Sequence, residues 1–440
     1  MREKRLNRKI IKSCVLLLSV LLLCSCSRTP SIGNGDKPDE LPDSFKPSSL
    51  EGIDGQLSAY GKYKENAEKA FGSIIPTPAE EFKYSSVSGG VRIDAYIGQS
   101  EMIVIPSEIG GVEVTEIAPE AFYTPDDEQT EEREASNLRS VYVPDSVKTI
   151  GKGAFRECEA LQLLRLPFVG DGGENTHIGY IFGAEKYDEN AINIPVSLEM
   201  IIAGGDVSDY AFYGVKSLDA SVLTDAESIG KFAFYECDEL SYIGLPGTLE
   251  SIGTYAFSSC GSLAKIELPE SVTDVGFGAF YLCRSMCDMT LPIIGDGAKN
   301  THIGYMFGAQ TADWNEDFVP SSLKRITLLD ACTRIENKAF ANCRGLVEIK
   351  FSKTLEFIGI RAFVNCRSIA SVTTPASLKT ISTDAFFGCD NMVSLKVTGG
   401  HTEIHSQAFF GCDALTDIDL SGASKIYQSA FEENIGADAD

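Results

Sequence analysis

One tryptophan and four histidines in 440 residues leave little of the material from which catalytic and sugar-stacking sites are built. No Ser, His and Asp set, no Cys and His pair, no phosphate-cradling glycine loop and no isolated carboxylate pair stands out, so an enzyme is not expected. A surface carbohydrate-processing or hydrolytic enzyme, the main catalytic alternative, would need convergent acids and usually several stacking aromatics, which a single Trp argues against. Basic residues are also few, 38 Lys and Arg against 63 Asp and Glu, for a formal charge of -25. So acidic a surface repels phosphate backbones, and nucleic acid is not an expected partner. Beyond the N-terminus no apolar run reaches the roughly 20 residues that span a bilayer, so the body of the chain is expected to be soluble. Neither a cofactor nor a metal is expected. What is present is an ordinary folded composition, 43% hydrophobic with 40 Gly. The chain is too long for one compact core and must be several domains or an elongated array.

The first twelve residues hold Arg2, Lys4, Arg5, Arg8, Lys9 and Lys12 against Glu3 alone, and an apolar stretch comes next over residues 15–23. That reads as a secretory signal, too short for a stable membrane span. It ends in L-C-S-C, with Leu23 three before Cys26 and the small Ser25 just before it, which resembles the lipobox of bacterial lipoproteins. Cys26 is then the lipidated residue, and the chain is expected on the extracellular side of the bacterial membrane, anchored there by the lipid. Cys24 is the weaker choice because the bulky Leu23 precedes it, and an ordinary cleaved signal with an incidental Cys is the alternative. Removing residues 1–25 leaves 32 basic and 62 acidic residues, net -30.

Residues 26–50, with Pro30, Pro38, Pro42 and Pro47 among Ser, Gly and Asp, read as a flexible tether. In residues 51–80, Leu57, Tyr60, Tyr63, Ala67, Ala70, Phe71 and Ile74 recur at helical spacing. A helix over about 56–72 is predicted, closed by Pro76 and Pro78 and packed on the first coil of the repetitive region.

From residue 81 to 440 the sequence is repetitive. Thirteen Phe residues set a register: Phe122, Phe155, Phe182, Phe212, Phe234, Phe257, Phe280, Phe307, Phe340, Phe363, Phe386, Phe409 and Phe431. Seven of the twelve intervals are 22 or 23 residues, and in eleven units Ala precedes the Phe and Ile or Val stands five before it. Apolar residues recur six, nine and eleven positions on, often closed by Pro, as in Leu263, Ile266, Leu268 and Pro269. Such a period means a solenoid, in which each unit buries its apolar edge only by stacking on its neighbours. Ile266 and Leu268 alternate with polar residues and predict a short strand stopped by Pro269. Val272 and Val275 predict a second. Gly276 is expected to permit a sharp turn, after which Ala279 and Phe280 begin one helical turn whose ring fills the coil.

The pattern L-x-x-I-x-L-P-x-S-V-x-x-I-G-x-x-A-F-x-x-C resembles the BspA-type leucine-rich repeat family of bacterial surface proteins. The resemblance covers residues 82–431, and residues 91–122 are similar to that family's opening coil. It implies a leucine-rich-repeat-like, right-handed array of coils, with short parallel β-strands, one-turn helical segments and a period of about 23 residues. It also implies adhesion, the binding of host matrix proteins, other cells or glycans without catalysis. A purely structural surface spacer is a further alternative.

Eight Cys stand three residues after a register Phe: Cys158, Cys237, Cys260, Cys283, Cys343, Cys366, Cys389 and Cys412. Equivalent positions in stacked coils point in parallel, which is poor disulfide geometry, and Val215 fills the same slot in one unit, so these are expected to be buried and reduced. A bridge between Cys287 and Cys332, outside this ladder, stays open. Residues 170–184 and 295–309 match each other at a separation of 125, the separation of Phe155 and Phe280, so a block of coils has been duplicated. Asp171 with Asn175 and Asp296 with Asn300 lack the alternating acids of a calcium loop. His177 and His302 recur with the motif and are expected to be hydrogen-bonding residues of the turn or core. His401 and His405 fall in register slots that are not helical, which argues against zinc.

Leu138, Leu198 and Leu323 lie sixteen residues after their register Phe where a plain coil has six. Each of these coils therefore carries ten extra residues at the same turn, on one edge of the solenoid. The inserts are acidic, with six acids and one Arg in residues 126–134. Asp126, Asp127, Glu128, Tyr187, Asp313 and Trp314 are the candidate partner-binding residues, with Tyr187 and Trp314 expected to be exposed anchors. The alternative is that the inserts fold back over the coil flank. A basic partner would be attracted to them.

Overall fold

The structure is a computed structural model that describes residues 75–123 and 137–431. The predicted signal, Cys26, the tether and the predicted helix lie outside the described residues. The rest is a parallel-strand solenoid of about 14 turns with little helix.

Each coil contributes one longer strand to the main face. Met102–Val104, Ser140–Tyr142, Leu163–Leu166, Met200–Ala203, Ala220–Leu223 and Tyr242–Gly244 form a parallel six-stranded sheet. Lys265–Glu267, Asp288–Leu291, Arg325–Leu328 and Glu348–Lys350 form the next, and Ser371–Thr373, Ser394–Lys396 and Asp417–Asp419 the last. A second face carries two-residue strands such as Ser228–Ile229, Ser251–Ile252 and Asp274–Val275. Residue type is kept along with spacing: Ile266 pairs with Met289, Met289 with Ile326 and Ile326 with Ile349, so like positions stack and all four point into the core. Hydroxyls staple the coils at the turn before the short strand, where Ser271 Oγ donates to Leu249 O at 2.6 Å and Ser377 Oγ to Leu355 O at 2.7 Å.

The register phenylalanines form the spine. From Phe122 to Phe409 they are the largest side chains that are fully buried. Successive rings lie parallel in the plain coils, with centroids 5.1 Å apart for Phe234 and Phe257 and 4.8 Å for Phe363 and Phe386. A hairpin of Phe82–Val87 and Gly90–Tyr96 closes the first end, where Tyr96 lies 5.4 Å from Phe82 and 6.3 Å from Phe122. Phe431 continues the stack at 5.2 Å from Phe409.

Two local expectations are corrected. The Ala-Phe corner of a plain coil is a set of three-residue-spaced turns instead of a helical turn, with Ala256 N donating to Gly253 O, Ser258 N to Tyr255 O and Cys260 N to Phe257 O. The reason is positive φ on either side of the ring, 55° at Tyr255 and 63° at Ser259, which breaks a right-handed helix twice within five residues. Helical turns occur in the duplicated motif instead, at Ile178–Phe182 and Ile303–Met306. Gly276, in turn, does not have positive φ. A Cβ there would sit 2.3 Å from Thr254 N of the preceding coil, so the glycine serves close stacking of backbones.

Candidate functional site

The corner exposes a flank whose backbone is the same from coil to coil. The residue two before the ring is left-handed at Tyr210, Phe232, Tyr255, Lys338, Arg361, Asp384 and Gln407, with φ between 54° and 62°. Glycine occupies the same slot at Gly153 and Gly278, with φ of 65° and 63°. A bulky L-residue in that conformation costs about 1–2 kcal/mol. Large side chains kept there despite the strain are therefore informative about what the flank presents.

Between the second and third inserts those side chains are aromatic at Tyr210, Phe232 and Tyr255, ahead of Gly278. Tyr187 stacks on Tyr210 at 4.2 Å, Tyr210 on Phe232 at 5.3 Å and Phe232 on Tyr255 at 5.4 Å. The row passes to Phe277 at 5.8 Å and from Phe277 to Tyr305 at 5.3 Å. Beside it Tyr213 stacks on Tyr235 at 5.0 Å, and Tyr281 links Tyr255 at 6.1 Å to Phe318 at 6.3 Å. Most of these rings are half-buried. Tyr255 is 8% exposed, and burial pushes its hydroxyl up to about 12. Each such pair contributes roughly 0.5–1.5 kcal/mol beyond its buried area, which offsets the backbone strain.

The second and third inserts fold back over this flank. Tyr187 is 38% exposed and starts the aromatic row. Trp314, expected to be exposed, is half-buried because Phe318 lies parallel to it at 6.1 Å, one helical turn on. Asp313 is exposed and accepts from Lys338 Nζ at 2.7 Å. Asp126, Asp127 and Glu128 lie outside the described residues.

What holds these inserts is a pair of buried amides. Asn190 and Asn315 are 0% exposed. Asn190 Oδ1 accepts from Gly179 N at 3.1 Å and lies 3.0 Å from His177 Nδ1, and Asn315 repeats this with Gly304 at 3.2 Å and His302 at 3.0 Å. Since the amide oxygen can only accept, Nδ1 carries the imidazole proton. Burial lowers the pKa of His302 and so favours the neutral ring, with the bond to Asn315 opposing that. The two asparagines are 125 residues apart, the duplication spacing, and extending the matched segments past residues 184 and 309 would have found them. Asp171 and Asp296 are turn staples: Asp296 Oδ1 accepts from Asn300 N at 2.9 Å and Oδ2 from Asn300 Nδ2 at 2.7 Å. Although its partial burial works the other way, the backbone donors of Ala298 and Asn300 hold the Asp296 carboxyl below its usual value. His405 lies on Tyr427 at 4.6 Å and is not helical. Among the described residues no group of three or more His, Cys, Asp or Glu is placed to hold a metal, and no helix is long and apolar enough to cross a membrane.

The ladder cysteines are buried and free, as are Cys287 and Cys332. Their thiols also have a role that spacing did not reveal. Most of them donate to the carbonyl of the register Phe one coil back, as Cys260 does to Phe234 O at 3.1 Å and Cys366 to Phe340 O at 3.0 Å. Burial pushes the thiols of Cys158 and Cys283 up to about 12.

A BspA-type leucine-rich repeat model matches the chain in six copies, over residues 133–171, 205–305 and 315–437, more than half of its length. Among solved structures it is similar to a leucine-rich repeat protein from Bacteroides ovatus, at 19% identity over 82% of this chain and 98% of that one, with a TM-score of 0.35. It is also similar to a leucine-rich cell surface protein from Faecalibacterium prausnitzii, at 20% identity over 81% and 97%, TM-score 0.32. The pneumococcal vaccine antigen PcpA gives 19% over 81% and 89%, TM-score 0.26. No functionally curated protein matches the chain in sequence. The repeat match is decisive by itself: the chain belongs to the BspA-type leucine-rich repeat family.

Proposed function

We propose that the protein is a non-catalytic surface protein, held to the bacterial membrane through a lipid on Cys26, whose insert-bearing flank adheres to a basic protein partner. The observation that carries this reading is the row of stacked rings from the exposed Tyr187 through the half-buried Tyr210 and Phe232 to the buried Tyr255, three of them in a left-handed conformation that glycine would adopt without strain. Tyr and Trp on a rigid scaffold give contact area at low entropic cost. Asp188 and Asp209 are near that row in sequence, and the acids of residues 126–134 stand in the sequence at the corresponding repeat position of an earlier unit. Arginine-rich surfaces suit this mixture, through cation–π contact with the rings and charge attraction to the acids.

The test is a binding screen of the mature chain against matrix proteins and mucins, then Tyr210→Ala and, separately, deletion of residues 126–134. Tyr210→Ala should leave association unchanged but raise dissociation at least tenfold, and the deletion should lower the association rate and its salt dependence. Undiminished binding in both variants, with unchanged thermal transitions, would remove the flank from the account. No binding to any basic protein would favour the spacer. Mass spectrometry of membrane-extracted protein should find a diacylated N-terminal Cys26, and an unlipidated mature N-terminus elsewhere would refute the anchor.

A further inference from the structure

Beyond the third insert the same flank changes character. In the coils of Phe340, Phe363, Phe386 and Phe409 the residues two before the ring are Lys338, Arg361, Asp384 and Gln407, and those just after the first three rings are Ala341, Val364 and Phe387. Where aromatic rings fill this channel in the earlier coils, here it stands open as a groove of about 300 Å³ with Asp313 of the insert on its wall. That volume is at the lower end of the range for small-molecule sites.

We propose that this groove is a binding site for a neutral saccharide, a site independent of the protein contact above. Charge is the first reason. Lys338 Nζ is paired to Asp313 Oδ1 at 2.7 Å and Arg361 Nε to Asp384 Oδ2 at 3.0 Å, so the lining is neutral within itself. An ion would add an unbalanced charge to this neutral lining, whereas a neutral polyol can bond to both pairs without one. Hydrogen-bonding capacity is the second reason. Asp384 is 8% exposed and its Oδ1 has no partner, a buried acceptor that a small turn of the carboxylate would offer to a hydroxyl donor. Arg361 uses only Nε on Asp384, and Asn365 Nδ2 donates to Asn342 Oδ1 at 2.9 Å, which leaves the Asn365 oxygen and the Asn342 amide protons to the groove. Planar groups that together present donors and acceptors suit the vicinal hydroxyls of a sugar. The third reason is the apolar side: Val364 and Phe387 line the groove, and Phe387 is braced by Phe410 at 5.5 Å, which gives the C–H face of a pyranose a fixed surface.

Saturation-transfer NMR on the full chain tests this, with glucose, galactose, mannose, N-acetylglucosamine and their disaccharides as probes and glucuronic acid, sialic acid and inorganic phosphate as charged controls. Transfer to at least one neutral sugar is expected, with little to the charged ones. Asp384→Asn, which keeps the shape and tolerates the left-handed backbone, and Gln407→Ala, at an exposed position, should each weaken binding, the former at least tenfold. Tyr210→Ala, on the aromatic row, should leave it unchanged. Absence of transfer to every neutral sugar, binding confined to the charged controls, or neutral-sugar binding that survives both groove variants would each overturn the assignment.

Discussion

The coils of Phe212 to Phe280 and those of Phe340 to Phe409 share one corner and present two surfaces. In both stretches the ring amide donates to the Ala carbonyl of the next coil, at 2.7 Å for Phe234 and 2.7 Å for Phe363, and in both the slot two before the ring is left-handed, φ 54° at Phe232 and 56° at Arg361. The flank that results is a closed aromatic row in the first and a polar, charge-balanced groove in the second. The interior therefore sets the backbone and leaves the flank free to vary. Ala and Phe, with Cys in most coils, fix the corner, and the residues around the ring decide what the coil can touch.

Truncating the spine should show first that the interiors are equivalent. Phe257→Ala and Phe363→Ala should each destabilise by about 3–5 kcal/mol, since both leave a cavity between parallel rings. Denaturant unfolding checks this, and a large inequality between the two would break the comparison on its inner side. Next comes the clamp on the inserts. Asn315→Ala strands the Gly304 amide and the His302 imidazole and should cost about 2–4 kcal/mol. Hydrogen exchange over residues 310–320 should accelerate before the flanking coils respond.

The outer surfaces should differ. Phe232→Ala removes two ring stacks and should cost about 1–2 kcal/mol, while Arg361→Ala, half exposed and in a groove, should cost less than about 1 kcal/mol. Equal losses would contradict the distinction between a packed row and an open channel. Alkaline pH acts on the interior again. A thiol whose folded pKa is raised from 9.0 to about 12, as for Cys158 and Cys283, favours the folded state below its unfolded pKa. That stability is lost as pH climbs from near 9 towards 12, at roughly 1.4 kcal/mol per unit and thiol. Cys283→Val should flatten the decline by one such increment in pH-dependent unfolding. The smallest effect belongs to Cys366→Ser. An apolar site without a partner would make the hydroxyl costly, but the Phe340 carbonyl that accepts from the thiol is there to accept from it, so a loss of about 1 kcal/mol or less is expected.

Much of the fold was legible. The Phe register, the strand at Ile266 and the second strand at Val275 all come from spacing and residue type, though the first ends at Glu267, before the expected Leu268, and the second leaves out Val272. The corner did not, because Tyr, Phe, Lys and Arg are poor markers of positive φ, and a Phe with two helix-compatible neighbours looks like a helical turn. Gly276 was legible as necessary but for the wrong reason, since the approach of the preceding coil's backbone leaves no trace in a single coil. Of the candidate site, the positions of the second and third inserts were readable, but their folding onto the flank depends on Asn190 and Asn315, which belong to a match between distant copies. The aromatic row at Tyr210, Phe232 and Tyr255 appears only when the repeat is read down a column two before the ring. Asp384 and its groove required the pairing of side chains across coils.

The claim that one corner carries either surface is tested most directly by exchanging the surfaces. A chain bearing Tyr210→Lys, Phe232→Arg and Tyr255→Asp should retain native hydrogen-exchange protection at the amides of Phe212, Phe234 and Phe257, each bonded to the next coil. If those amides instead exchange as in the unfolded chain while Phe340, Phe363 and Phe386 stay protected, the flank dictates the corner and the account is wrong.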